Sequence, residues 1–220
     1  MPGMASSPIE PVTLEGDHVR LEPMSFAHVP ALSEVAFQPS IWRWMPLRLE
    51  TAEETRAYVA SALESAATGT QLPFVTVDRA TGRAIGSTRY LEIALDHRRL
   101  EIGWTWIAPA WQRSAVNTEA KLLMLEHAFD RLDCRRVEFK TDARNERSRA
   151  ALLGIGATFE GIFRKHVVLR DGSPRDSAWF SIIDDEWPAI RDRLRLRLAR
   201  HATGTTASPT EIEPGATTRP

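Results

Sequence analysis

The chain has 220 residues, 43% apolar and 26% charged, a globular composition with enough apolar mass for a core that needs no covalent staple. Its 28 Lys and Arg nearly balance 29 Asp and Glu, which argues against nucleic acid as a partner; one cysteine, Cys134, excludes an internal disulfide, and six scattered His suggest no metal set. No apolar run approaches the roughly 20 residues of a membrane span, and the opening MPGMASSPIEP lacks the basic start and apolar stretch of a signal peptide, so a soluble cytoplasmic protein is expected.

Residues 1–11 are small and Pro-rich, and 201–220 carry almost nothing to bury. Both read as disordered tails around a single domain at 12–200. Within it, HVRLEP is a first strand, and SFAHVPALSEVAF a helix capped by Ser25. TAEETRAYVASALESAATG is a second helix, because Thr51 and Glu54 have capping-box spacing and Gly69 is a natural stop. LPFVTVD, RAIGSTRYLEI and LEIGWTWI follow as strands, the first two joined by a turn at Thr81 and Gly82. A polar loop, WQRSAVN, then opens a helix that runs to about Leu132. RVEFKTDA alternates as a strand does, and NERSRAALLG is a short helix with Asn145 as its cap and Gly154 as its stop. ATFEGIFRKHVVL and RDSAWFSI flank a turn at Asp171 and Gly172, and a last helix covers about Asp184 to Arg200. Short turns between successive strands predict antiparallel pairing, while strand, helix, strand through the loop predicts a parallel crossover. The expected fold is α/β: a mixed, mostly antiparallel sheet of about seven strands, one splayed parallel pair, and helices on both faces.

The polar loop carries the first chemical signal. A helix N-terminus presents unpaired N–H groups and the positive end of the helix dipole. Small and polar residues before it can wrap a phosphate, and Arg113 adds a full charge. The alternative is that Asn117 or Thr118 merely caps the helix. There is no Gly-rich loop ending in Lys and Ser or Thr, so no P-loop is present. GIGATFEG follows a helix and is no dinucleotide fingerprint.

The stretches LEIGWTWIAPAWQRSAVNTEAKLLMLEHAFD and RVEFKTDARNERSRAALLGIGATFEG resemble the GNAT superfamily of acyl-CoA-dependent N-acetyltransferases. The nearest branch is that of the ribosomal-protein N-terminal acetyltransferases. The resemblance covers roughly residues 12 to 190. It implies that the loop, Gln112, Arg113, Ser114, Ala115, Val116, Asn117 and Thr118, cradles the pyrophosphate of acetyl-CoA. Ala115 stands where the family usually has Gly, so either the loop keeps ordinary φ there or the phosphates sit farther out. Asn145 and Ser148 match an Asn-x-x-Ser that contacts the pantetheine arm. Two parallel strands that each end at a helix N-terminus place any ligand at their carboxyl ends, and a splay between them could admit an arm that pairs like a strand.

Acyl transfer to an amine needs a neutral amine, and a base helps to make one. Glu101 is the first candidate, expected on the strand face of Gly103 and Thr105; the alternative is an ion pair with Arg89 or Arg99. His166 and Asp176 are further candidates. Backbone N–H groups near Trp106 and Ile107 could polarise the thioester carbonyl. The helix after Asn145 lacks the Tyr that many relatives use as general acid, which leaves Ser148 or no acid at all. Trp42, Trp44, Arg89, Tyr90 and His166 are the candidate acceptor contacts, with core packing the alternative for the Trp pair. The Arg-rich last helix is either a solvated edge or an RNA contact. The expected activity is transfer of an acetyl group from acetyl-CoA to a primary amine, on a protein N-terminus or a small molecule. A larger acyl-CoA such as succinyl-CoA, or a non-catalytic acyl-CoA-binding module, are the alternatives. A homodimer is one assembly the sequence allows.

Overall fold

A computed structural model describes residues 9–204. The expected N-terminal tail lies outside the described residues up to residue 8, and the expected C-terminal tail from residue 205. The last helix runs on through 204.

An eight-stranded sheet has the order β1-β2-β3-β4-β5-β6-β8-β7. The strands are β1 (Leu14–Glu15), β2 (Val19–Pro23), β3 (Leu72–Asp78), β4 (Ala84–Ala94), β5 (Arg99–Ile107), β6 (Arg136–Asp142), β7 (Thr158–Val168) and β8 (Pro174–Ile183). The helices are α1 (Val29–Ala36), α2 (Pro39–Trp42), α3 (Ala52–Ala67), α4 (Ala115–Glu126), α5 (Glu146–Ile155) and α6 (Trp187–Gly204). All neighbouring strands run antiparallel except β5 and β6, which are parallel. The two-residue β1 accounts for the strand beyond the expected seven.

Both faces are covered. Leu32, Tyr58, Val59 and Ala62 of α1 and α3 pack with Val75 and Trp106 on one face. Met124, Leu152, Ile190 and Leu194 of α4, α5 and α6 pack with Phe74, Tyr90, Leu100 and Phe139 on the other. Thr51 accepts from the Glu54 N–H at 3.1 Å, and Glu54 returns a bond to the Thr51 N–H at 3.2 Å, so the capping box forms. A 3-10 turn, Phe26–His28, precedes α1, and Ser25 stands at its start as expected.

α5 stops at Gly156, not Gly154. Gly156 has φ +101°, a backbone conformation that L side chains rarely adopt, so glycine is the residue suited to this left-handed stop. In α6, Leu194 is buried while Leu196 is 55% exposed, as alternation on a helix requires. Its basic residues turn back onto the fold: Arg195 bonds Glu126, and Arg191 pairs with Asp130. No helix of the described residues is long and apolar enough to cross a membrane.

Candidate active site

The site begins where β5 and β6 part. Their pairing is limited to Arg99 with Arg136, Leu100 with Val137 and Glu101 with Glu138. Beyond Glu101 the two strands diverge, which leaves the backbone edge of each open to the gap. β5 then leads through a 3-10 turn, Pro109–Trp111, into α4, and β6 leads into α5. Both helix N-termini therefore sit at the mouth of the gap.

One bulge decides which side chains face which way. Between the pairs Arg89–Gly103 and Ser87–Trp106, β4 advances two residues and β5 three. The extra residue is absorbed at Trp104, which has φ +50°, and the alternation of faces flips there. Hence Leu100 and Ile102 face the α4 side, yet Trp104 and Trp106 face the α1–α3 side together with Glu101. Thr105 goes the other way: its hydroxyl accepts from Lys121 of α4 at 2.8 Å and contacts Thr88 at 2.8 Å. The expected sharing of a face by Glu101 and Thr105 is thus wrong, because it assumed an unbroken strand.

Glu101 is 1% exposed. Its Oε1 lies 2.7 Å from where a Cβ of residue 103 would stand, so Gly103 makes room for the carboxylate. Its partner is neither Arg89 nor Arg99 but Lys140 of β6, with Nζ 2.8 Å from Oε2. Burial pushes the carboxyl up to about 7, and Lys140 limits the rise. A carboxylate that changes charge near neutral pH has the affinity for protons a general base needs. Lys140 was missed in the sequence, although the alternation of RVEFKTDA already placed Glu138, Lys140 and Asp142 on one face. Arg99 instead pairs with Glu138.

The loop is an ordered turn. Gln112 donates from Nε2 to the Ile107 carbonyl at 2.7 Å and accepts from Arg147 of α5 at 2.5 Å, so it ties the strand end to the far helix. Arg113 is exposed and takes the left-handed conformation, φ 62°. Ser114 is the N-cap of α4, accepting from the Val116 N–H at 3.3 Å. Capping thus falls to Ser114 and not to Asn117 or Thr118, because Ala115 and Val116 are buried as the first residues of the helix. Ala115 keeps ordinary φ, and its Cβ costs nothing. Asn117 is half-buried and Thr118 buried in the first turn. The Ala108 N–H donates to Ile85 of β4 at 2.8 Å. By the alternation of an antiparallel strand, Trp106 also turns its backbone to β4 and Ile107 points its N–H into the gap. Across the gap Asn145 caps α5, accepting from the Ser148 N–H at 3.1 Å.

The remaining candidates separate. Tyr90 is fully buried on the α4 side, with its hydroxyl donating to the Met124 carbonyl at 2.6 Å, so it belongs to the core and not to the acceptor pocket. Trp42 is 3% exposed, donates to the Ala36 carbonyl at 2.8 Å and packs on Trp106; it is a wall of the core. Asp176 lies on the face of β8 opposite Glu101, where its carboxylate holds the Lys165 N–H at 2.6 Å. Trp44 stays half-buried between the guanidinium groups of Arg43 and Arg144. Arg89 is 4% exposed, over the rings of Tyr58 and Trp104, and bonds Gln71. His166 is on β7, 3.1 Å from the Ser177 hydroxyl, with burial, Lys140 and Arg175 holding its pKa below the usual value. Arg175, Ser177 and Trp179 of β8 complete this face and carried no sequence signal. Among the described residues no cluster of His, Cys, Asp and Glu could hold a metal ion.

Comparison with known proteins agrees with this geometry. Residues 18–158 match the family model described as an acetyltransferase (GNAT) domain. An uncharacterized N-acetyltransferase of Bacillus subtilis (strain 168), YoaA, is 30% identical over 105 residues, which cover 48% of this chain and 58% of that protein. A GCN5-related N-acetyltransferase from Brucella melitensis superposes with a TM-score of 0.81 at 32% identity, covering 87% of each chain. Mycobacterium smegmatis RimJ, solved in complex with CoA-disulfide, shares the fold, with a TM-score of 0.73 at 22% identity over 88% of this chain and 96% of that one.

Proposed function

This chain belongs to the GNAT acetyltransferase family, and on that premise we propose that it transfers an acetyl group from acetyl-CoA to a primary amine. The observation that carries the reading is Glu101: a buried carboxylate poised near neutral pH, set at the point where β5 and β6 part. Acetyl-CoA supplies the acetyl group as a thioester already activated towards amines. The open edge of β5, with the Ile107 N–H, would receive its arm as a strand receives a partner. The first-turn N–H groups of α4 and the charge of Arg113 suit its pyrophosphate, and Asn145 and Ser148 line the facing side. Gln112 acts on this cradle from behind, since its side chain is spent on Ile107 and Arg147.

Glu101 takes the proton that the amine must lose, directly or through one water. Lys140 orients the carboxylate and keeps it from rising further. The Ser148 hydroxyl is the candidate donor to the departing thiolate. The acceptor lies on the face of Glu101, bounded by Trp44, Arg89 and His166. The sequence resemblance to the ribosomal-protein N-terminal branch inclines the reading towards a protein N-terminus, and a reducing compartment, the cytoplasm, fits the single buried thiol.

The test is calorimetric titration with acetyl-CoA, 3′-dephospho-CoA and pantetheine, followed by thiol release across a panel of amines. Micromolar binding by the two pyrophosphate-bearing ligands, much weaker binding of pantetheine, and amine-dependent thiol release are expected. Succinyl-CoA run alongside reports on the acyl group. Binding without release across the panel would leave an acyl-CoA-binding module; no heat with any ligand would sink the proposal.

A further inference from the structure

The face that bears Glu101 holds more cations than it has carboxylates to match. Glu101 is held by Lys140 at 2.8 Å, and Asp142 is held by Arg144 at 2.8 Å. Arg175 is then left over. It is 7% exposed, and its bonds go to neutral groups, the Trp44 carbonyl at 3.2 Å and the Ser177 hydroxyl at 3.3 Å. Its buried Nε has no hydrogen-bond partner. Asp142 and Glu101 lie near enough to favour its charge, and burial still holds it below the usual range; among the described residues no carboxylate touches it, so an anion arriving in direct contact would offset the burial. Arg89, on the other side of Glu101, is also buried, 4% exposed, and hydrogen-bonds only the Gln71 amide with its Nε unsatisfied, but the Tyr58 and Trp104 rings take part of its charge.

A chain of side-chain contacts joins Arg175 to the surface of β7 and to Glu101. Ser177 links it to His166, which lines a groove of about 620 Å³ together with Phe163, Arg164 and Lys165. Trp179 stacks on Phe163 and lies under Lys140, the partner of Glu101. Along β6, Glu101 stands beside Glu138 and Ser177 beside Asp142. At ~3.3 Å per residue along β6, and ~4.8 Å for each of the two strand spacings from β5 to β8, that places their backbones roughly 16 Å apart. Glu101 leans over Gly103, in the same direction, which brings the two functional groups to on the order of 10 Å.

We propose that the amine acetylated here carries a carboxylate, which Arg175 receives while the amine is held at Glu101. The inference rests on the acetyltransferase reading and narrows its acceptor. A bare α-amino acid is too short to span the two groups. An N-terminal peptide with an acidic residue at its second position, or a small ω-amino acid, has the reach.

The experiment measures kcat/KM for matched acceptor pairs with the wild-type protein and acetyl-CoA. One arm compares amidated peptides with Glu or Gln at position two, and the other compares 6-aminohexanoate with its amide. At least a tenfold preference for the acid in either arm is expected, and the arm that shows it identifies the source. Arg175→Gln should bring the ratio towards one by raising KM for the acid, with Arg175→Lys restoring part of it. Titration of each variant with acetyl-CoA checks that it is folded. Acid and amide acetylated equally in both arms would overturn the inference while the acetyltransferase reading stands, as would a tenfold ratio that survives in Arg175→Gln. No acetylation of any amine would overturn both.

Discussion

Lys121 offers a quantitative check on the packing of α4 against the sheet. It is 5% exposed, and its Nζ donates to the Thr105 hydroxyl at 2.8 Å. Burial pushes its pKa down from 10.5 to about 7. The unfolded chain therefore binds this proton more tightly than the folded one, so stability rises with pH between about 7 and 10.5 and the cost is complete below 7. At about 1.4 kcal/mol per tenfold, a depression of this size costs roughly 4 kcal/mol at pH 7 and about 1 kcal/mol at pH 10. Lys121→Met removes that cost, keeps the volume, and loses one hydrogen bond worth about 1 kcal/mol. The expected gain is about 2 to 3 kcal/mol at pH 7, or roughly 5–10 °C in Tm for a chain of this size, and none at pH 10. Urea unfolding of both proteins at the two pH values measures it. A Lys121→Met protein that is less stable at pH 7, or that differs by the same amount at both pH values, would refute the reasoning.

Glu101→Gln should lower kcat/KM by about 10²- to 10⁴-fold and erase the rise in the wild-type profile near pH 7, leaving only the limb set by the amine; stopped-time thiol release from pH 5.5 to 9 reads both. Asn145→Ala removes the cap of α5 and should cost about 1 kcal/mol in denaturant unfolding. Cys134 is 2% exposed and its thiol is pushed up to about 11 by burial, so it should react with a disulfide reagent at neutral pH only at the rate of unfolding, and at once in guanidinium. Glu119 accepts the N–H groups of Asp17, His18 and Val19 at 2.6–2.9 Å; Glu119→Ala leaves these groups unpaired and should lower Tm by several degrees in a thermal scan.

The elements were legible where the sequence carries its own punctuation. Thr51 and Glu54, the Thr81–Gly82 turn and the alternation in RVEFKTDA each mark structure locally. What failed depended on one residue with no marker. A left-handed Trp104 has no signature, yet it reverses the facing of everything after it in β5 and so moved Thr105 out of the site and Trp104 into it. Tyr90 falls outside the acceptor pocket for a simpler reason. It directly follows Arg89 in a regularly paired stretch of β4, and neighbours on a strand point to opposite faces, so the two do not share one pocket. The pair Glu101–Lys140 depends on the register of β5 and β6, whose paired residues stand 37 positions apart in the chain, and no local pattern reports it. Arg175 looks like any surface arginine until the loop at Trp44 is seen to cover it.

The parting of β5 and β6 also has a mechanical meaning. The sheet is two ribbons, β1–β5 and β6–β8, stitched by three residue pairs and braced by the packing of α4 on α6. A molecule lying in the gap would work as a missing ninth strand, completing ladders on both sides at once. Filling the gap would then stiffen the protein as a whole, so that amides of β6 and β8 far from the ligand exchange more slowly with solvent.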